Sequence, residues 1–431
     1  MVIKKLIQYV LGKEIFRNAG IYTLGHIFNA AIPFMLMPIL TRYLSPEDYG
    51  ITAIFAVLIG IYTPFVGINL HGFVSVSYFR SRNNFKLIVS TMFHILAISL
   101  TVTTLITWLT SNVIERLSSF PADWLWSVIF LCFTNFFIVV LQNVQQVQGH
   151  AKQYTIIQIS HTVMNLLMSI VLVVIFSMNW QGRILAQVIS GLFFMVIAYS
   201  LLKMWGLLSL NFSFVYARKG LAFGIPLIPH ALCGFLILAS DRFFISNMVG
   251  LSELGIFSVG YSLGQAIELV GTSFNKAFSP WLYEKLKSFD EGMDINRQKI
   301  VKFTYLCITC FFVFAVLYSL FMPVFLSIFI GPKFQEASKY ILWFALASAL
   351  HTFYYMVVNY IFYKQKTKYL AMITFGSGVL HIGITYVLIK ILGAIGAAYA
   401  AVITQVILTI LTWWLSNKVY PMPWKIWRCD V

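Results

Sequence analysis

Charge is the scarcest commodity in this chain. Only 10% of its 431 residues are Asp, Glu, Lys or Arg, where a soluble domain carries about 25%. Acids are rarest, 14 against 30 basic residues, so the formal net charge is +16. Glycine-rich phosphate loops of the form G-x-x-x-x-G-K-[ST] are missing, which excludes ATP hydrolysis by a P-loop. Paired carboxylates, zinc-ligand spacings and a nucleophile elbow are missing too, so nothing points to an enzyme, a metal or a cofactor. Five cysteines are too few and too deep for a disulfide framework: Cys132, Cys233, Cys307 and Cys310 lie in apolar runs and Cys429 in the tail. Cys307-x-x-Cys310 has a redox spacing but no second pair or ligand cluster beside it. Met1–Lys13 is short and basic, with no small-residue cleavage site before the first long apolar run, so no cleaved signal is expected. Strand-like alternation is absent as well, which argues against an outer-membrane barrel.

What is present is hydrocarbon. Hydrophobic residues make up 60% of the chain and the mean hydropathy is +0.84. Apolar stretches of about 18 or more residues recur from end to end, each long enough to cross a core of roughly 30 Å. Twelve spans are expected, near 16–41, 50–78, 87–110, 124–148, 155–178, 182–205, 219–248, 254–282, 303–329, 338–362, 369–391 and 394–416. The longest connection, about 283–302, is charged, and no loop is long enough for a soluble domain. The fold class is an all-α polytopic membrane protein.

With both termini on one side, that side collects 23 Lys and Arg and the other side 6. The positive-inside rule then predicts cytoplasmic termini. The same loop charges interact with anionic lipid, and in this composition they do not imply nucleic acid. A weak internal repeat runs at about 207–215 residues. Leu44-Ser45-Pro46-Glu47-Asp48-Tyr49-Gly50 is echoed by Leu251-Ser252-Glu253-Leu254-Gly255, and Gly149–Tyr154 by Lys364–Tyr369. Two halves of six helices, 1–210 and 211–431, are expected around a central cavity.

Polar residues inside the spans recur at helical spacing. Tyr261, Gln265, Glu268, Thr272, Asn275 and Ser279 share one face. Asn18, Tyr22, His26, Asn29 and Pro33 form a second stripe, Asn135, Gln142, Gln145 and Gly149 a third, and Gln158, Thr162, Asn165 and Ser169 a fourth. Helix–helix hydrogen bonding uses the same residue types, but four stripes, one with a carboxylate, favour a polar lumen. Seven of the eight histidines lie in or beside spans, among them His230, His351 and His381. Asp241 and Arg242 interrupt the seventh span and, being adjacent, point about 100° apart. An intramembrane arginine suits an anion, because its fork matches phosphate oxygens and it stays charged. Arg42 is the similar candidate in the other half. Asn29, Asn275 and Gln265 are candidate substrate ligands. Glu268, Asp241 and His230 are candidate proton carriers or lumen acids.

These residues carry a resemblance. Pro33-x-x-x-x-Pro38-x-x-x-Arg42-x-Leu44-Ser45-Pro46-Glu47-Asp48-Tyr49-Gly50 is similar to the start of Wzx-type O-antigen and polysaccharide flippases. Pro226-x-x-Pro229, Asp241-Arg242 and Leu254-Gly255-Ile256-Phe257-Ser258 resemble their seventh and eighth spans. The superfamily also holds multidrug extruders and the lipid II flippase. The resemblance implies a bacterial inner-membrane protein that moves an undecaprenyl-diphosphate-linked oligosaccharide to the periplasmic leaflet by alternating access. It implies a cationic cavity to which Arg42 and Arg242 contribute, with a polysaccharide polymerase and a chain-length regulator as protein partners. The alternative within the fold is a cation-coupled multidrug exporter. Extruders often carry an acid in the first span, and this chain has none between Gly20 and Leu40. A membrane polymerase is disfavoured, because the longest loop falls on the cytoplasmic side.

Overall fold

The cap that starts the second helix shows how local chemistry sets the spans. Ser45 Oγ accepts the Asp48 N–H at 3.0 Å, and the Asp48 carboxylate accepts the Ser45 N–H at 3.0 Å. This reciprocal box satisfies two of the helix's unpaired donors, and Pro46 occupies the first position, where no N–H is needed. The expected echo at 251–255 is built differently. Gly250 stands before the helix at φ 133°, and Glu253 turns outward to Lys339 Nζ at 2.8 Å and to the Tyr340 hydroxyl.

The computed structural model describes residues 34–291, 297–364 and 366–424, with 21, 25, 28, 29, 31 and 32 of the first helix. We number the helices α1 (34–43), α2 (Pro46–Gly67), α3 (Leu70–Arg80), α4 (Phe85–Ser118), α5 (Leu125–Val147), α6 (Ala151–Ile170), α7 (Asn179–Met204) and α8 (Phe214–Gly224). There follow α9 (Leu227–Met248), α10 (Leu251–Gly264), α11 (Ala266–Asp290), α12 (Arg297–Phe329), α13 (Ser338–Tyr363), α14 (Thr367–Leu392) and α15 (Ile395–Val419). No strand occurs among the described residues. Ten helical stretches among them are long and apolar enough to cross a membrane. They correspond to all the expected spans but 16–41, which contains residues outside the described set, and 219–248, where some side chains of α9 lie outside it. Trp108 and Leu109 on α4 are 72% and 68% exposed. Such surfaces need lipid rather than water around them, and the chain is a multi-pass membrane protein.

Three expectations about the spans are corrected. The second span breaks at Ile68 and Asn69, both left-handed at φ 46° and 50°, into α2 and α3. The seventh divides into α8 and α9 around Pro226, whose ring denies the helix an N–H. The connection expected at 283–302 is mostly helix: α11 runs to Asp290 and α12 starts at Arg297. Residues 251–290 measure about 60 Å along a helix, twice a hydrocarbon core, so the charged end projects beyond it. There Lys287 and Glu291 pair one turn apart at 3.5 Å.

The chain divides into two compact units, Met1–Phe235 and Leu236–Val431. In the first, α5 packs against α2, α3 and α7, and α8 lies on α3 and α4. Gly224 ends α8 against the α2–α3 break, where an added Cβ would meet the Ile68 carbonyl oxygen at 1.9 Å. Backbone cannot yield cheaply, so Gly224→Ala is expected to cost about 1–3 kcal/mol by overpacking. The thermal midpoint of the detergent-solubilised variant measures it, and an unchanged midpoint would deny this contact its role.

In the second unit α13 is central, touching α10, α11, α12 and α15. The tail after α15 is tied down: Tyr420 and Tyr363 donate to the Asp290 carboxylate at 3.2 and 3.0 Å, and Lys364 Nζ donates at 3.0 Å. Burial and the Asp290 charge push the Tyr420 hydroxyl up to about 12.

Candidate functional site

The polar face expected on the eighth span lies on α10 and α11, and α13 covers much of it. Gly271 makes this possible, because a Cβ there would meet Thr352 Oγ1 at 2.0 Å. With the helices this close, short polar side chains span the seam. His351 Nδ1 lies 3.0 Å from the Glu268 carboxylate, and the Tyr355 hydroxyl donates to it at 3.3 Å. Glu268 and His351 keep 25% and 29% of their side-chain surfaces open, so the pair remains accessible. Farther along, Asn359 Nδ2 donates to Asn275 Oδ1 at 2.9 Å, and the Ser279 and Tyr283 hydroxyls donate to Asn359 Oδ1 at 3.2 Å each. Asn359 is buried. Thus Asn275 and Ser279 are engaged in helix–helix hydrogen bonds, whereas Glu268 sits in a half-open acid–imidazole pair. Gln265 is half-buried at the junction of α10 and α11.

Asp241 and Arg242 part company, as adjacent helical positions must. Asp241 is buried on α9, with His381 Nε2 of α14 at 3.0 Å from its carboxylate and the Thr385 hydroxyl donating at 3.2 Å. His381 Nδ1 is 3.0 Å from the Thr404 hydroxyl of α15. An ionised carboxylate only accepts, so Nε2 carries a proton toward it. Nδ1 then either accepts the Thr404 proton or, as imidazolium, donates to its oxygen. The cluster can hold one more proton without losing a hydrogen bond. Arg242 instead lies over the Tyr261 ring of α10, 4.8 Å from its centroid. Its positive charge meets the negative ring face there. His230 lies in α9, but its side chain is outside the described residues.

In the first unit two expected stripes meet. Asn29 of the first helix accepts the Thr162 hydroxyl of α6. One and two turns on, Asn165 Oδ1 and Ser169 Oγ accept Nη1 of Arg183 from α7. Charge counting treats Arg183 as a loop cation on the minority side. Its side chain instead folds back onto the polar face of α6, with Tyr49 of α2 beside it. The legible signal is its place five residues into α7, opposite the end of an Asn165–Ser169 stripe in a helical hairpin. Arg42 is exposed near the end of α1. No group of three or more metal-ligating side chains occurs among the described residues.

The sequence profile of the polysaccharide biosynthesis protein family matches residues 15–285, more than half of the chain. The chain belongs to that family. This polysaccharide biosynthesis protein is 26% identical over 383 residues to an uncharacterized membrane protein of Haemophilus influenzae, covering 86% of this chain and 89% of that one. It is 25% identical over 417 residues to a protein of the Lsg locus in the same strain, covering 94% and 99%. Among solved structures, an inward-facing multidrug resistance transporter of the MATE family and MOP superfamily aligns with a TM-score of 0.70 at 13% identity, over 90% of this chain and 94% of that one. The lipid II flippase MurJ in an inward closed conformation aligns at 0.69 and 12% identity, over 91% and 87%. The family member therefore has the fold of these transporters. Their shared architecture accounts for its all-helical, multi-pass build.

Proposed function

We propose that the protein is a flippase for an undecaprenyl-diphosphate-linked oligosaccharide, an O-antigen repeat unit. It moves the head group from the cytoplasmic to the periplasmic leaflet of a bacterial inner membrane by alternating access. Two six-helix halves, 1–210 and 211–431, carry the motion, and both termini are cytoplasmic. The observation that carries this reading is the chemistry of the α6 face: a cation, Arg183, held among neutral amides and hydroxyls between two helices long and apolar enough to cross a membrane, in a chain of the polysaccharide biosynthesis family. A guanidinium offsets the desolvation of a diphosphate, while amides and hydroxyls replace water around sugar hydroxyls.

In this reading Arg242, over Tyr261, and Arg42 are further phosphate contacts, and Asn29, Gln265 and Asn275 contact sugar after exchanging their present partners. An anion leaving a negative cytoplasm moves downhill by about 2.3 kcal/mol per charge per 100 mV, so the membrane potential drives the step. Glu268 with His351, and Asp241 with His381, provide proton sites where coupling adds to it, with His230 on the same helix as Asp241. A polysaccharide polymerase and a chain-length regulator receive the product.

Deleting the gene should abolish surface polysaccharide and leave drug susceptibility unchanged. Plasmid-borne protein should restore the polysaccharide, and Arg242→Ala at verified expression should restore less than a tenth of it. Intact polysaccharide together with drug hypersensitivity would instead identify a drug exporter of the same fold.

A further inference from the structure

We propose that a groove between α4 and α8 seats the isoprenoid tail of the lipid-linked substrate, with Arg218 holding the diphosphate at its mouth. The proposal rests on the flippase reading and adds a site to it.

The groove lies wholly within the first unit and has a volume of about 890 Å³. That is within the roughly 300–1,000 Å³ of built small-molecule sites. Ile95, Ile98, Val102 and Ile106 line one wall at i, i+3, i+7 and i+11, so a single face of α4 supplies it. They span about 16 Å along the helix axis, roughly half a hydrocarbon core. Phe214 and Leu221 of α8 line the other wall. Ser99 contributes no free donor, because its hydroxyl is given to the Val66 carbonyl at 2.6 Å and lies 3.0 Å from that of Leu96. Among the described residues, Arg218 is the only charged one that lines the groove. A long apolar slot with one cation is complementary to a hydrocarbon chain with an anionic end.

The slot is built into the backbone. Ile68, which also lines the groove, holds φ 46°, a conformation that a β-branched residue rarely adopts. It breaks the α2–α3 path there, and Gly224 presses α8 onto the same carbonyl. Strain of this kind persists where the surrounding structure fixes it, and it concentrates at binding sites. The choice of lipid follows from charge. Arg218 is exposed on α8, and a doubly charged diphosphate gains more from its guanidinium than the single charge of a phosphodiester lipid does. With the tail seated, capture of the head group becomes an intramolecular step at a raised effective concentration.

The test uses the full chain in phosphatidylethanolamine nanodiscs and a C55 polyprenyl diphosphate carrying a diazirine on its tail. Photolabel should fall on peptides covering 95–106. Tenfold excess unlabelled polyprenyl diphosphate should remove it, and the same excess of phosphatidylglycerol should not. Ile98 and Val102 are 61% and 50% exposed, so Val102→Trp fills the slot without disturbing a core. It should cut labelling of α4 at least fivefold with the thermal midpoint unchanged. Arg218→Gln should weaken competition by the diphosphate at least fivefold. Equal competition by phosphatidylglycerol would make the groove an ordinary lipid contact and overturn the proposal. Competed labelling elsewhere on the chain would overturn it while leaving the flippase reading intact. Labelling that polyprenyl diphosphate competes nowhere would overturn both.

Discussion

Asp241→Ala is expected to lower the stability of the folded chain by about 3–5 kcal/mol. Asp241 is 4% exposed and its carboxylate receives bonds from His381 and Thr385, so its removal leaves the buried imidazole N–H only the Thr385 oxygen at 3.3 Å and leaves the Thr385 hydroxyl without that acceptor. Asp241→Asn keeps an accepting oxygen in place and should lose much less. Adding His381→Ala to Asp241→Ala removes that imidazole, and the double variant should be more stable than the sum of the single losses. Denaturant titration of the four proteins in one detergent gives the coupling. Additive losses would mean that the two side chains do not act as a pair.

The second large effect is expected at Arg183, and it should appear in transport as well as in stability. Arg183→Ala deletes two charge-assisted hydrogen bonds to α6, each of a class worth about 1.5–3 kcal/mol. It also removes the cation from the polar face to which we assign the diphosphate. Surface polysaccharide should fall at least tenfold at matched protein level. Arg183→Lys should recover part of it, because lysine supplies the charge without the planar fork. Arg183→Ala with full export would show that the guanidinium only braces α6 against α7.

The spans were legible because each is a long apolar window, and the structure returns ten of the expected twelve among its described residues. Their interruptions were legible only where a special residue marks them. Pro226 announces the division of α8 from α9, whereas Ile68 and Asn69 lie in an apolar run that gives no warning of left-handed backbone. Helical periodicity placed Glu268, Asn275 and Ser279 on one face, but it cannot say whether that face meets water or another helix. Asn359, which engages Asn275 and Ser279, stands among tyrosines and valines and belongs to no stripe. The membrane histidines could be grouped but not partnered, since Asp241 and His381 are 140 positions apart. Arg183 was hidden by a rule that assigns charges to sides of a membrane, because a side chain one turn inside a helix can still fold inward. The 44–50 and 251–255 runs look alike in sequence. Only the first has both Ser45 and Asp48 at the spacing of a reciprocal cap.

The central claim is that this chain carries an anionic, lipid-linked oligosaccharide across a bilayer. The most direct measurement places purified full-length protein in liposomes with a fluorescent undecaprenyl-diphosphate oligosaccharide and follows its transbilayer movement with a membrane-impermeant quencher. The account predicts protein-dependent movement that speeds up when the substrate's starting side is made electrically negative, and that falls at least tenfold in Arg183→Ala. No movement above that of empty liposomes, with proton-driven uptake of a cationic drug by the same preparation, would contradict it.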